Sequence, residues 1–295
     1  MEGLGPDHNF LGITQPELYA FDSADAVILP IPYEYTSSYM AGSKYGPQAI
    51  IDASHYVEYY DEVLARETYE DVKIATLNPL EFNGRVNKEA MDFIDQSAFD
   101  IINSNKFLIS LGAEHSISYP LFLAHQKKFT DIGLLQFDAH SDLRDAYQNN
   151  KYSHASVAAR INEHNVSITQ VGIRALCKEE ADLIKNSSLI NTFFAHDIHN
   201  DKNWVDKVIE SLPDNIYVTI DADGFDPSIM PAVGTPEPNG LSWQQAMQLF
   251  EQVFKKKNVV GFDVLEMAPR ENEMLSQYNL AKLVYRLIGF KSLKN

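Results

Sequence analysis

Cysteine is almost missing: Cys177 stands alone among 295 residues, so the chain cannot close a disulfide on itself. That fits a reducing compartment, and the cytoplasm is the expected location. Basic residues are scarce as well, with 24 Lys and Arg against 41 Asp and Glu, a formal charge of −17. Phosphate backbones are held by Lys/Arg clusters, and the densest run here, Lys255-Lys256-Lys257, reads as the solvated end of a helix. Nucleic acid is therefore not an expected partner, whereas an acidic surface favours encounter with small cations. No apolar run approaches the roughly 20 residues that span a bilayer, and no basic-then-apolar leader is visible, so a soluble protein with no membrane role is expected. Glycine-rich phosphate loops are lacking, which argues against nucleotide use. No Pro/Ser/Gly-rich linker divides the sequence, and residues 1–295 are expected to form one domain.

What is present is an alternation. Short apolar runs recur at Ala26–Ile31, Val72–Leu77, Phe107–Leu111, Ile132–Phe137, Ser167–Ile173, Thr192–Ala195, Ile216–Ile220 and Val259–Val264. Their continuous apolarity is what strands of a parallel sheet need when both faces are covered. Amphipathic segments of helix length lie between them, at Asn87–Ser104, Ile117–Phe129, Ser153–Asn162, Asn203–Leu212, Ser242–Lys256 and Leu280–Ile288. Such a pattern predicts right-handed βαβ crossovers, and spacing alone leaves a closed barrel and an open three-layer sheet equally available. The segment 32–46 breaks the alternation with Tyr33, Tyr35, Tyr39 and Tyr45, and is expected to be an ordered rim loop that either lines a pocket or packs over the core.

Four segments carry chemistry, and each follows an apolar run: Gly112-Ala-Glu-His115-Ser116, Asp138-Ala-His140-Ser-Asp142, Asp221-Ala-Asp223 and Glu266. They are thus expected at strand C-terminal ends, the edge where parallel α/β sheets build their sites. Within Asp138-x-His140-x-Asp142 the alternate positions of an extended segment would turn three ligands to one side. Ser116 is expected to cap the helix that follows His115. So many carboxylates beside two histidines would repel one another without cations. Hard oxygen donors with a minority of imidazoles suit Mn²⁺ better than a cysteine-rich zinc site, and two divalent ions in one cleft would make water a nucleophile. His154, in Ser153-His154-Ala155, is a candidate proton donor because a histidine changes charge near neutrality. The pair His196 and His199 has nothing nearby to complete a metal site.

Beyond these ligands the chain carries Tyr39-Met-Ala-Gly-Ser-Lys-Tyr-Gly-Pro47, Gln170-Val-Gly-Ile-Arg174, Thr219-Ile-Asp-Ala-Asp-Gly-Phe-Asp-Pro227, Gly234-Thr-Pro-Glu-Pro238 and Gly261-Phe-Asp-Val-Leu-Glu266. In this order, over nearly the whole chain, they resemble the ureohydrolase family of arginases and agmatinases. The resemblance implies an α/β/α sandwich with a mostly parallel eight-stranded sheet. It implies two Mn²⁺ ions, one held by His115, Asp138, Asp142 and Asp221, the other by Asp138, His140, Asp221 and Asp223, with Asp138 and Asp221 bridging. It further implies hydrolysis of a guanidinium C–N bond, in which Asp142 orients the attacking water, Glu266 holds the guanidinium and His154 relays a proton. Relatives of this kind commonly form trimers or hexamers, so a homo-oligomer is expected.

The choice of guanidine rests on departures. Arginases have an asparagine where this chain has Arg144 and an aspartate where it has Cys177, both used around the amino-acid end of arginine. The pattern Asp142-Leu-Arg144-Asp145 with Tyr147 is instead similar to agmatinases, so the expected substrate is agmatine, a small cationic guanidine cleaved to putrescine and urea. An Arg144 aimed into the cleft would favour 4-guanidinobutyrate instead, and arginine is the remaining family alternative. Ala113 and Ala232-Val233 depart from commoner Gly and Gly-Thr without touching a ligand. A metal-stabilised regulatory or assembly scaffold is the non-enzymatic alternative.

Overall fold

The computed structural model describes residues 1–293. Strands β1 (Ala26–Ile31), β2 (Ile74–Thr76), β3 (Phe107–Gly112), β4 (Ile132–Phe137), β5 (Ile168–Ile173), β6 (Ile190–Phe194), β7 (Asn215–Asp221) and β8 (Asn258–Leu265) form one sheet in the order β2-β1-β3-β8-β7-β4-β5-β6. Every neighbouring pair in that sheet is parallel. The expected eight strands are all there, and "mostly parallel" becomes wholly parallel. The sheet ends in two edges, β2 and β6, so it is open and not a barrel.

Helices α1 (Gly46–Ser54), α2 (Asn87–Asn103), α3 (Ser118–Gln126), α4 (Val157–Asn162), α5 (Lys178–Asn186), α6 (Trp204–Ser211), α7 (Trp243–Lys256) and α8 (Leu275–Ser292) cover both faces. The alternation along β1 shows how. Ala26 and Ile28 pack in one core with residues of α1, α6, α7 and α8, while Val27, Leu29 and Ile31 pack in the other with residues of α2, α3 and α4. Successive side chains point to opposite faces, and both faces are buried, which is why the strand reads as unbroken apolar sequence. Each fully buried Ile or Leu of this kind contributes about 1.5–3 kcal/mol relative to exposure.

Chain order and spatial order part company at the middle. From β3 the chain crosses past two strand positions to β4, and β7 and β8 later fill the gap. The four strands that precede the four chemical segments, β3, β8, β7 and β4, are therefore adjacent at the sheet centre. Their C-terminal ends point the same way, so segments up to about 150 residues apart in sequence open into one cleft, the position expected of a site in an open parallel sheet.

Two glycines permit the close approach this needs. Gly172, at φ +96, sits where a Cβ would come within 3.0 Å of the Asp138 carbonyl oxygen. Gly224 leaves room for Phe137 and the Asp138 amide, which a Cβ would meet at 2.6 and 2.9 Å. The segment 32–46 is a rim loop as expected, and it divides its tyrosines. Tyr33 is buried against Phe82, whereas Tyr35, Tyr39 and Tyr45 are exposed.

Candidate metal centre

The imidazole of His115 makes the centre's geometry plain. Its Nε2 is bonded to the Thr219 hydroxyl at 2.8 Å, which fixes the ring. Its Nδ1 is buried without a hydrogen bond, yet faces Oδ2 of Asp138, Asp142 and Asp221 at 3.0, 3.1 and 3.3 Å. Four lone-pair donors converge on one point. A second group stands beside it: His140 Nδ1 lies 3.0 Å from Asp223 Oδ2 and 3.8 Å from Asp138 Oδ1. His115, Asp138 and Asp142 on one side, and Asp138, His140 and Asp223 on the other, are each compact enough to hold a cation. Asp138 belongs to both, giving one oxygen to each.

Local backbone explains how the six candidate ligands reach so small a volume. The Asp138–Asp142 segment is not extended throughout, because Asp142 adopts φ +52. That turn carries its carboxylate across to His115, away from the His140 side, and corrects the expectation that all three ligands face one way by simple alternation. Glu266 is also left-handed, at φ +61, with its amide donating to the Ala113 carbonyl at 2.7 Å and its Oε1 accepting from the His115 amide at 2.7 Å. Two non-glycine residues held in this sparsely populated region mark a site whose shape is imposed by its surroundings. Ser116 does not cap a helix as expected. It lies inside a 3₁₀ turn and donates to Glu114 Oε1.

Electrostatics agree with the geometry. Burial raises Asp142 to about 7 and Asp221 well above the carboxylate range, with neighbouring carboxylates adding to both. Asp223 goes the other way despite burial, because His140 beside it holds the charged form. Burial disfavours charge on His115 and His140, but the carboxylates outweigh it, raising His115 well above its usual value and His140 to about 11. Glu266 is pushed to about 8 by burial, against the His115 amide bond and with help from Glu114. This is a nest short of positive charge. Divalent cations at the two convergence points would replace that shortfall, and hard oxygen donors with an orphaned imidazole nitrogen fit them.

The cleft above has a volume of about 190 Å³ and is lined by, among others, His115, Asp142, Arg144, Tyr147, His154 and Glu266. His154 Nδ1 lies 3.0 Å from the Thr36 hydroxyl and Nε2 lies 3.4 Å from Ser38. A charge change near neutrality is not what this ring offers: burial, with the His115 and His140 charges, lowers it to about 4, so the ring is neutral at pH 7. Arg144 stacks over the Tyr147 ring at 5.5 Å and has Glu180 at 3.9 Å, while Asp145 pairs with Arg160 and Lys151. Cys177 is outside the cleft and begins α5. His196 and His199 remain apart from it too, and Asp226 holds a turn by accepting from Ser228 and Gly240.

A family model described as the arginase family matches residues 24–289. The chain belongs to the arginase family. It is 36% identical over 277 residues to the N(1)-aminopropylagmatine ureohydrolase of Synechocystis sp., covering 92% of this chain and 90% of that protein. It is 34% identical over 273 residues to the agmatinase of Pyrococcus horikoshii, covering 91% and 93%. Among solved structures, the agmatine ureohydrolase of Thermoplasma volcanium superposes with a TM-score of 0.81 at 31% identity, covering 93% of this chain and 92% of that one. As an arginase-family ureohydrolase, the protein is a hydrolase of amidino C–N bonds, in a family that depends on a pair of metal ions.

Several residues behind this ureohydrolase's centre have supporting roles that the sequence does not assign, although Gln170, Arg174, Thr219 and Asp263 lie within its motifs. Gln136, Gln170 and Thr192 occupy one row across β4, β5 and β6, in register with one another. Thr192 donates to Gln170 Oε1 at 2.9 Å, Gln170 donates to Gln136 Oε1 at 2.8 Å, and Gln136 donates to Asp138 Oδ2 at 2.8 Å. The same row runs the other way through Thr219 and Asp263. Glu114, wholly buried, accepts from the amides of Tyr35 and Thr36 at 2.7 and 2.6 Å, tying the rim loop to the metal floor. Arg174 donates to backbone carbonyls of Asp223, Phe225 and Glu237, which holds the Asp221–Asp223 turn from behind. A signal did exist: Gln136, Thr219 and Asp263 are polar residues inside otherwise apolar strands, two or three positions before a ligand or Glu266.

Proposed function

We propose that this ureohydrolase uses two Mn²⁺ ions to remove urea from an amine-terminated guanidine of the agmatine class. The carrying observation is the pair of His/Asp groups joined through Asp138, with Glu266 standing in the same cleft. His115, Asp138, Asp142 and Asp221 would hold one ion, and Asp138, His140, Asp221 and Asp223 the other. Bound there, the ions would supply an activated water at neutral pH.

The remaining work belongs to side chains. Glu266, a planar two-oxygen acceptor, matches the forked donors of a guanidinium and gains its charged form by meeting one. Asp142 accepts a hydrogen bond from the attacking water and orients it toward the guanidinium carbon. The water oxygen adds to that carbon to give a tetrahedral intermediate, and its collapse to urea breaks the bond to the alkylated nitrogen as the leaving amine takes up a proton. His154, neutral and touching the hydroxyls of Thr36 and Ser38, passes that proton as a relay. Agmatine would give putrescine and urea. Its aminopropyl derivative, the substrate named for the Synechocystis relative, would by the same cut give spermidine and urea.

Arg144 has Glu180 at 3.9 Å, which partly answers its charge and reduces its pull on a carboxylate end, and this supports an amine end. Urea release by manganese-loaded protein should be measured with agmatine, N(1)-aminopropylagmatine, arginine and 4-guanidinobutyrate. A hundredfold preference for arginine or 4-guanidinobutyrate would overturn the substrate class. The protein is further proposed to be cytoplasmic and to assemble as a trimer or hexamer, which sedimentation would measure. Among the described residues no helix is long and apolar enough to cross a membrane.

A further inference from the structure

The polar row beneath the metal centre is two separate chains of bonds. Gln136 and Thr219 stand opposite one another on β4 and β7, yet among the described residues no hydrogen bond joins their side chains. The Gln136 arm ends on Asp138. The Thr219 arm ends on His115, whose Nε2 lies 2.8 Å from the Thr219 hydroxyl. Beside Thr219 stands its register partner on β8, Asp263, which is wholly buried. Tyr217, two residues before Thr219 and on the same face of β7, donates to Asp263 Oδ2 at 2.6 Å. Ser118, at the start of α3, places its hydroxyl 3.0 Å from that of Thr219.

The hydrogens along this arm can be followed. For His115 Nδ1 to offer its lone pair to a cation, the ring's hydrogen must sit on Nε2, so Nε2 donates and the Thr219 oxygen accepts. Thr219 must then pass its own hydroxyl hydrogen onward, directly or through Ser118, to an acceptor. Asp263 Oδ1 is buried with no partner of good hydrogen-bonding geometry, and so is open to receive it. Burial raises the Asp263 carboxyl, while the hydroxyls of Thr219, Tyr217 and Ser118 and the His115 charge favour its charged form. Asp263 makes no ion pair among the described residues, and a carboxylate in such a place is a costly choice for packing alone.

Resting on the two-metal reading, we infer that Asp263 is a positioning residue for the His115-side ion: through Thr219 it holds the His115 ring and the tautomer that leaves Nδ1 open. His140, in the other group, has no bond to this arm, so the effect is confined to one of the two ions.

The test is manganese occupancy at the two positions in crystals of the wild type, Asp263→Asn, Thr219→Val and Thr219→Ser, equilibrated over a series of buffered free-metal concentrations and read from anomalous scattering. Asp263→Asn keeps the volume but can offer Thr219 a donor in place of an acceptor. The Thr219 hydroxyl then turns to donate to His115 Nε2, which puts the ring's hydrogen on Nδ1 in the ion's way. Affinity at the His115 position should fall roughly tenfold or more, with the His140 position staying within about threefold of wild type. Thr219→Val should repeat that loss and Thr219→Ser, which keeps the hydroxyl, should not, so the comparison stands even where the asparagine variant does not fold. In solution, the electron paramagnetic resonance spectrum of Asp263→Asn and Thr219→Val at limiting metal should change from that of a coupled pair to that of a lone manganese ion. Equal losses at both positions, or none at either, would overturn the positioning role while leaving the two-metal reading standing. A wild type that binds no manganese would remove both readings together.

Discussion

Gln136→Leu tests whether the polar row beneath the centre positions the metal ligands. The substitution keeps volume but removes the amide that donates to Asp138 Oδ2 at 2.8 Å and to the His140 carbonyl at 3.1 Å. A hydrogen bond to a charged acceptor contributes about 1.5–3 kcal/mol. Loss of a partner that orients a ligand weakens metal binding by roughly 10–100-fold, the same range seen through affinity. Because Asp138 gives one oxygen to each group, both manganese ions should weaken together. Competition against a calibrated chelator reads the two affinities, and melting curves with and without manganese read how much the metals stabilise the fold. Thr192→Val, two bonds further from Asp138, should cost less than about threefold in affinity. Affinities within twofold of wild type for Gln136→Leu would refute the reasoning. Equal losses from both variants would do so as well, since a general loosening of the sheet would then be at work.

Asp223→Ala should behave differently, depleting the His140-side metal while the His115 side retains most of its own; atomic absorption still giving two manganese per chain would contradict the ligand assignment. Glu266→Gln removes a buried charge from the guanidinium's partner, a change worth about 2–4 kcal/mol, so kcat/KM should fall roughly 30- to 1,000-fold with metal content intact. His125 supplies a pH test far from the metals. Burial lowers it to about 4 from 6.5, so between those values the unfolded chain binds the extra proton, and stability is present above pH 6.5 and lost as pH falls toward 4. That difference is worth roughly 3 kcal/mol at about 1.4 kcal/mol per pH unit. Denaturant titrations of metal-free protein should show His125→Leu losing about that much less than wild type over the window, and parallel losses would remove the histidine from the account.

The sheet was legible because each strand is buried on both faces. A six-residue run that is apolar but for Gln136, Ile132–Phe137, has no other comfortable home, and the strand there has those same bounds. Edges were less well read. The run Val72–Leu77 shrinks to Ile74–Thr76 on the outermost strand, and Thr192–Ala195 moves to Ile190–Phe194 because Ala195 opens a helical turn. Helix α5 was not picked out, since Lys-Glu-Glu-Ala-Asp-Leu-Ile-Lys-Asn has little apolar face; it is held instead by a capping box in which the Cys177 amide donates to Glu180. Strand order lay beyond local sequence altogether. Nothing in residues 113–131 says that the chain passes two empty places before β4.

The same logic separates the parts of the site that were readable from those that were not. Ligands stand at strand ends, where a charged residue directly after an apolar run is conspicuous, and a carboxylate there needs a partner. Their supports stand inside strands that are remote in sequence, and only parallel register turns Gln136, Gln170 and Thr192 into neighbours. A single glutamine in a strand reads as a minor irregularity; three polar side chains at one level of the sheet form a connected chain of bonds. That level lies two residues below Asp138 on β4 and below Asp221 on β7, on the same face as each ligand. Rigidity therefore enters the centre from underneath, through the sheet, while the upper wall is built from the Tyr35–Ser38 strip and the Tyr147–Asn150 turn. The metal-binding groups stand on the rigid floor, and the loops of the rim border the cleft above them. Arg144 and Tyr147 sit where those two meet, which is why the ligand list fixed the bond to be cut and left the substrate's far end to be argued from the loops.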